Sequence, residues 1–373
     1  MRIVMRDGAS GVDDAFVELP AAVYADDPRW IPEEPPVVRM AFSSANDWFA
    51  TGAAVTICVP DAARLAVFRA KDCCVDGQPA AFFGYWEHRG DPSSSQQLFR
   101  EARSWAREQG AKRLYGPINF TTHGAYRLLI DAEPGVQPFV GEPYNPATYP
   151  ALLESLGFRV ARRYITQISD GALDTRRIDL ARGALLDAGY TLTQLDGSLW
   201  RAMLPDLKPL ADAMFAQNFA FTPISYESFA RGYGESVARR LCPRTSLVAR
   251  GPRNDIAGFV LVYPDYGPLV AQSAGSARVA ANSLSFAEHA PLLEQWSPRT
   301  AIVRTIAVAP EHRAQGLSHA LGATVVASGA AHYDRWIGAL IRDDNPSRRF
   351  GDTQTHTVRR YALYAADLEE SES

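Results

Sequence analysis

Lysine is almost missing from this 373-residue chain. Lys71, Lys112 and Lys208 are the only three, and arginine supplies the rest of the 38 basic residues. Against 42 acidic residues the formal charge is −4, which gives no blanket attraction to nucleic acid or to an anionic membrane. No apolar run approaches the roughly 20 residues that a membrane-crossing helix needs. The four cysteines, Cys58, Cys73, Cys74 and Cys242, form no C-x-x-C pair. The adjacent Cys73–Cys74 suits neither a zinc knuckle nor an ordinary disulfide, so free thiols in a reducing cytoplasm are expected. The amino terminus is charged and broken by Gly8 and Gly11, unlike a signal peptide. There is no Gly-x-Ser-x-Gly elbow and no His/Asp/Glu cluster at metal-ligand spacing, so no metal is expected. A cytoplasmic protein with no nucleic-acid or membrane partner is the reading these absences leave.

What is present centres on residues 300–328, TAIVRTIAVAPEHRAQGLSHALGATVVAS. Ile302, Val303, Ile306 and Val308 predict a strand that stops at Pro310. Leu317, Ala320, Leu321, Thr324, Val325 and Ser328 then recur at helical spacing. Between them lies Arg313-Ala314-Gln315-Gly316-Leu317-Ser318. A strand, a glycine-containing loop and a helix start form an anion site: the first helical N–H groups lack partners, the dipole is positive, and glycine admits close approach.

Strand, Val308-Ala309-Pro310, then Arg313-x-x-Gly316-x-Ser318 resembles the acyl-CoA loop of the GNAT superfamily of N-acyltransferases. The family's pattern ends in Gly or Ala, where this chain has Ser318, also small. Residues 1–170 hold a second likeness. Asp27-Pro-Arg-Trp-Ile-Pro32 and Tyr144-Asn-Pro-Ala-Thr-Tyr149, followed by Gly157-Phe158, match the first half of bacterial GNAT-type proteins of similar length. Both halves carry a hairpin, a long helix, a strand and an Asn-Pro turn, Asn145-Pro146 and Asn345-Pro346. The resemblance implies an α/β fold of two tandem GNAT-like domains, each a twisted mixed sheet flanked by helices. Residues 1–170 form the first domain, 171–189 a linker helix, 190–366 the second domain and 367–373 an acidic tail. In the first half Asp91-Pro-Ser-Ser-Ser stands where the phosphate loop belongs, so that half is expected to bind no CoA of its own.

Local pattern predicts strands at 63–71, 80–86, 192–204 and 336–341. Helices are expected at 96–109, 174–189, 206–218, 226–241 and 286–296.

For the site, the resemblance implies a splay between two parallel strands, placed at 304–308 and 338–341. Backbone of Ile306, Ala307 and Val308 then holds the pantetheine arm of acetyl-CoA or another acyl-CoA. Arg313, Ala314, Gln315, Gly316, Leu317 and Ser318 hold the pyrophosphate, Asn345 contacts the pantetheine, and Arg348 meets a CoA phosphate. The family's frequent tyrosine acid after that asparagine is replaced by Phe350-Gly351; Tyr361 and Tyr364 are alternatives. Asp343, at the end of the splayed strand, is the expected base, with Asp344, Glu288 and His289 also weighed. His312 and His319 are expected at phosphate or solvent. Trp30, Trp48, Tyr126 and Tyr144 are candidate walls for the acceptor. The implied reaction is direct attack by a small amine on the thioester, with acetyl as the expected acyl group. Two other readings stay open: an aminoacyl-tRNA-dependent transferase of tandem GNAT-like type, and an acyl-CoA-binding protein without chemistry. A homodimer is compatible with the sequence.

Overall fold

The computed structural model describes residues 3–170, 176–271, 278–345 and 356–368. The first half runs β1 (Val4–Asp7), α1 (Asp14–Val23), α2 (Pro35–Ala41), β2 (Gly52–Val59), β3 (Ala63–Ala70), β4 (Cys74–Val75), β5 (Gln78–His88), α3 (Pro92–Glu108), β6 (Arg113–Gly116), β7 (Leu128–Asp131), α4 (Tyr149–Ser155) and β8 (Arg159–Asp170). The second runs α5 (Arg176–Asp187), β9 (Thr191–Gln194), α6 (Gly197–Phe215), α7 (Tyr226–Tyr233), α8 (Glu235–Arg240), β10 (Leu247–Arg250), β11 (Ile256–Pro264), α9 (Gly267–Val270), α10 (Phe286–Leu293), β12 (Thr300–Val308), α11 (Leu317–Gly329), β13 (Arg335–Arg342) and β14 (His356–Asp367).

The main strand order is β1-β2-β3-β5-β6-β14-β8-β13-β12-β11-β10-β9. Read from either end, it gives four antiparallel strands, a fifth that is parallel to the fourth, and a sixth that is antiparallel to the fifth. The sixth strand of each half comes from the other half. β8 closes the first sequence half yet pairs with β13, while β14 closes the second and pairs with β6. The exchanged strands lie side by side, antiparallel, at the centre. Residue 170 thus separates the halves in sequence, whereas the sheet is shared. Central position explains the composition of β14: Tyr361, Ala362, Leu363, Tyr364 and Ala365 are all buried, so both faces are covered.

Helices cover both faces. α3 places Leu98, Phe99, Ala102 and Ala106 against the first half, and α1 and α2 cover its other face through Phe16, Val17 and Val38. In the second half α11 packs with Leu185 of α5 on one face, and α6, α7 and α8 on the opposite one. Residues 192–204, expected as a strand, are strand only to Gln194. α6 begins at Gly197, its first turn capped by Asp196, which accepts from the Leu199 N–H at 2.8 Å. Trp200, Met203, Leu204, Leu207, Ala211 and Met214 recur at helical spacing, and their burial outweighs Pro205 and Pro209 inside the helix. The expected helix at 226–241 is two, broken at Gly234. Arg348, Phe350, Gly351 and tail residues 369–373 lie outside the described residues, as do 171–175 of the expected linker.

Candidate functional site: a cavity through the β12–β13 gap

β12 and β13 pair in parallel only from Thr300↔Arg335 to Val303↔Gly338. At that level both strands break register with their other neighbours. Leu261↔Thr305 is followed by Val262↔Val303, so Arg304 is the extra residue of a bulge in β12. β13 skips between Gly338 and Ile341 against β8, with Leu340 at φ 57° and its N–H donating to Thr166 Oγ1 at 3.2 Å. The two strands separate beyond this point, leaving alternate backbone N–H and C=O groups of residues 304–308 facing a gap. Ile306 and Val308 direct their side chains toward α11, and Ala307 toward α6.

A cavity of about 1150 Å³ runs through that gap. On the α11 face it reaches His319, Gly322 and Ala323; on the other it meets Trp200, Phe229 and Tyr233. The first half supplies further wall, including His123, Tyr126, Arg127 and Tyr164, so the chamber is built by both halves. Of the aromatic residues singled out as acceptor walls, Tyr126 lines it. Trp30 and Tyr144 instead pack around Tyr24, and Trp48 packs on Phe68 and Phe120.

At the loop, Pro310–Gln315 forms a 3-10 turn and Gly316 takes the left-handed conformation at φ 70°. That glycine is also the cap of α11, which has no side-chain cap. His319 and Ala320 N–H groups bond to the Gly316 carbonyl, and those of Leu317 and Ser318 precede the first such bond. Arg313 does not stand free over the loop. Its Nη2 donates to the Met214 carbonyl at 2.9 Å, tying the loop to the end of α6. His312, expected at phosphate or solvent, is buried between the Tyr190 hydroxyl and Asp255 Oδ2, each at 2.9 Å. Asp255, Glu311 and His312 bring ligand-type atoms within 4.8 Å of one another, a grouping hidden by their separation in sequence. Both His312 ring nitrogens are already engaged there.

Asn345 lines the cavity, its N–H bonded to the Arg342 carbonyl at 2.9 Å. Asp343 is exposed on the turn after β13, its N–H donating to the Arg163 carbonyl at 3.2 Å, and it does not line the cavity. Asp344 pairs with Arg342. Glu288 lies on α10 near Arg239, and His289 bonds within its own helix. Tyr361 donates to Glu142 and Tyr364 to Glu154, both away from the cavity lining.

Two features escaped the sequence reading. The first is a pair across the seam between halves. His123 Nε2 lies 3.0 Å from the Thr222 carbonyl, and its Nδ1 lies 3.0 Å from the Tyr233 hydroxyl. A carbonyl only accepts, so Nε2 carries the hydrogen and Nδ1 accepts from Tyr233. Burial lowers the His123 pKa, keeping the ring neutral, and raises that of Tyr233 to about 12, keeping it protonated. The second is a set of guanidiniums, Arg127, Arg240 and Arg304, that all line the cavity.

The first half lacks the equivalent gap among its described residues. Beyond the parallel pairing of Ala80–Phe82 with Arg113–Tyr115, the chain folds back on β5. Ile118 N–H donates to the Phe83 carbonyl at 2.7 Å, and Asn119 Oδ1 accepts from the Tyr85 N–H at 2.9 Å. Those are the backbone groups an inserted arm would need. The α3 terminus is likewise occupied: Asp91 accepts from the Ser93 N–H at 2.9 Å.

This architecture is the GNAT fold. It is the tandem form: the chain has a tandem GNAT fold. It superposes on a tandem GNAT protein from the clavulanic acid biosynthesis pathway with TM-score 0.54 at 14% identity, covering 100% of both chains. A GCN5-related N-acetyltransferase from Anabaena variabilis gives TM-score 0.52 at 10% identity, over 99% of this chain and 73% of that one. In sequence the chain is similar to the bacterial ceramide synthase of Caulobacter vibrioides, 24% identical over 270 residues, 70% of this chain and 69% of that protein. No family model matches it. Among the described residues, no helix is long and apolar enough to cross a membrane.

Proposed function

We propose that the chain transfers an acyl group from acyl-CoA to an amine held in the chamber. The observation that carries this reading is the continuity of one cavity. It runs from the first turn of α11, through the unpaired edges of β12 and β13, to a neutral His123–Tyr233 pair. In this reading the N–H groups at Gly316, Leu317 and Ser318 bind the pyrophosphate, and Arg313 holds their loop in place. The edges of residues 304–308, with Asn345, bind the pantetheine arm. That sets the thioester beside Arg304, whose backbone at the bulge faces the carbonyl oxygen.

The amine nitrogen attacks the thioester carbon, forming C–N. As the tetrahedral oxyanion collapses, C–S breaks and CoA leaves as its thiol. The proton lost by the amine passes to the Tyr233 oxygen while the Tyr233 hydroxyl proton moves to His123 Nδ1, and the same relay run backwards returns one proton to the departing thiolate and restores neutral His123. His123 takes the place expected for Asp343, which lies outside the cavity. The volume and the aromatic surface of Trp200, Phe215, Phe229 and Phe259 suit chains much longer than acetyl. Similarity to the bacterial ceramide synthase of Caulobacter vibrioides supports the same direction. Incubation of the metal-chelated protein with long-chain acyl-CoA and a panel of amines and amino acids tests the reading. Free thiol is expected in step with acylated amine. If no acceptor raises thiol release above hydrolysis, the proposal fails.

A further inference from the structure

The chamber holds cations that no carboxylate among the described residues neutralises. Arg304 Nη1 is buried with no hydrogen-bond partner among the described residues, as is Arg127 Nε. Among the described residues, neither Arg127, Arg240 nor Arg304 has a carboxylate within 4.0 Å, although 17 ion pairs form elsewhere. What they do touch is aromatic or neutral. Arg127 lies 3.6 Å from the Tyr126 ring centroid and 4.1 Å from that of Tyr164. Arg240 lies 5.6 Å from the Tyr263 ring and donates to the Ser236 carbonyl at 2.7 Å. Burial, with the charges of Arg127 and Arg240 nearby, lowers the pKa of Arg304. Withdrawing a guanidinium from water without a counter-ion costs several kcal/mol, so the buried Nη1 of Arg304 beside the half-buried Arg127 and Arg240 is an arrangement that folding alone disfavours.

We propose that the amine substrate of this chamber carries an anionic group, a carboxylate or a phosphate, and that Arg304, Arg127 and Arg240 bind it. This rests on the acyl-transfer reading for the word substrate and on the unpaired cations for the charge. The CoA phosphates do not account for these residues. The phosphate loop leads into α11 on one face of the sheet, whereas the arginines gather with Tyr126 and Tyr263 beside α8 and the first half. A single transient oxyanion does not account for them either, because one guanidinium serves it. An anion held by planar, multi-donor guanidiniums also fixes the orientation of the amine relative to the thioester. The aromatic wall formed with α6 and α7 accepts the apolar remainder.

The test uses product-like amphiphiles and does not depend on turnover. N-dodecanoylglycine, N-dodecanoylethanolamine and its O-phosphate share one chain and differ in charge. Each is titrated into the full chain by calorimetry, with Trp200 and Trp336 fluorescence as a second readout, since both line the cavity. The two anions are expected to bind at least about tenfold tighter than the neutral amide. The tighter of the two tells carboxylate from phosphate. Arg127→Gln and, separately, Arg240→Gln should remove that preference while leaving the neutral amide unchanged. Equal binding of neutral and anionic probes, or a preference that survives both substitutions, overturns the proposal. Palmitoyl-CoA titrated in parallel separates the two claims. Anion preference without acyl-CoA binding sinks the acyl-transfer reading alone; acyl-CoA binding without anion preference sinks this one alone.

Discussion

Valine at position 316 is expected to abolish acyl-CoA binding in a chain that still folds. Gly316 sits at φ 70°, and among the described residues, its chain neighbours aside, a Cβ built there meets no atom within 4 Å. The protein itself is therefore not crowded by Gly316→Val. What the substitution adds is left-handed strain, on the order of 1–3 kcal/mol for a non-glycine residue and toward the upper end for a β-branched one. It also places two methyl groups over the uncapped N–H groups of α11, where the pyrophosphate would lie. Calorimetry should show affinity reduced by about 100-fold or more, with a thermal midpoint lower by several degrees. A variant that binds acyl-CoA like the parent would remove the loop from the account.

The second large effect concerns His123 and Tyr233. His123→Ala and Tyr233→Phe should each lower kcat by about 10²- to 10⁴-fold, the usual range for losing a positioned acid or base, with acyl-CoA affinity unchanged. The pH profile gives the sign. Burial depresses the His123 pKa below the ordinary value of 6.5. The ring must be neutral to accept a proton, so activity is lost as pH falls through the folded-state pKa and is full above it. Ionisation of the acceptor amine adds a separate limb at higher pH. Only the lower limb should vanish in His123→Ala. If the lower limb persists unchanged in that variant, another group is the base.

The stretch from β12 through α11 was legible because its signals are local: β-branched residues, Pro310, a glycine and helical spacing follow one another. The paired architecture was legible from two Asn-Pro turns and the duplicated order of elements. The exchange of β8 and β14 was not, because each strand has the same apolar pattern whichever half it joins. α6 was misread for a local reason: the apolar residues from Leu192 to Leu204, Leu199 and Trp200 among them, suggested a strand, while the burial of Trp200 and Leu207 decided for helix. His123 gave no sign in sequence, being a lone histidine in a loop whose partners, Thr222 and Tyr233, lie about a hundred residues away. Arg304 read as an ordinary strand residue, and only the bulge and the missing carboxylates single it out. His312 read as a loop histidine because Tyr190 and Asp255, which bury it, are distant in the chain.

The shared sheet gives the first half a defined part in the account. It supplies His123 and Arg127 to the chamber, and its own gap is closed by Ile118 and Asn119. The central claim is therefore one cofactor slot per chain, in the β12–β13 gap. Calorimetric titration of palmitoyl-CoA into the full chain tests it most directly: one site per chain is expected, lost in Gly316→Val, whereas two equal sites per chain, or a site that survives that substitution, would contradict the account.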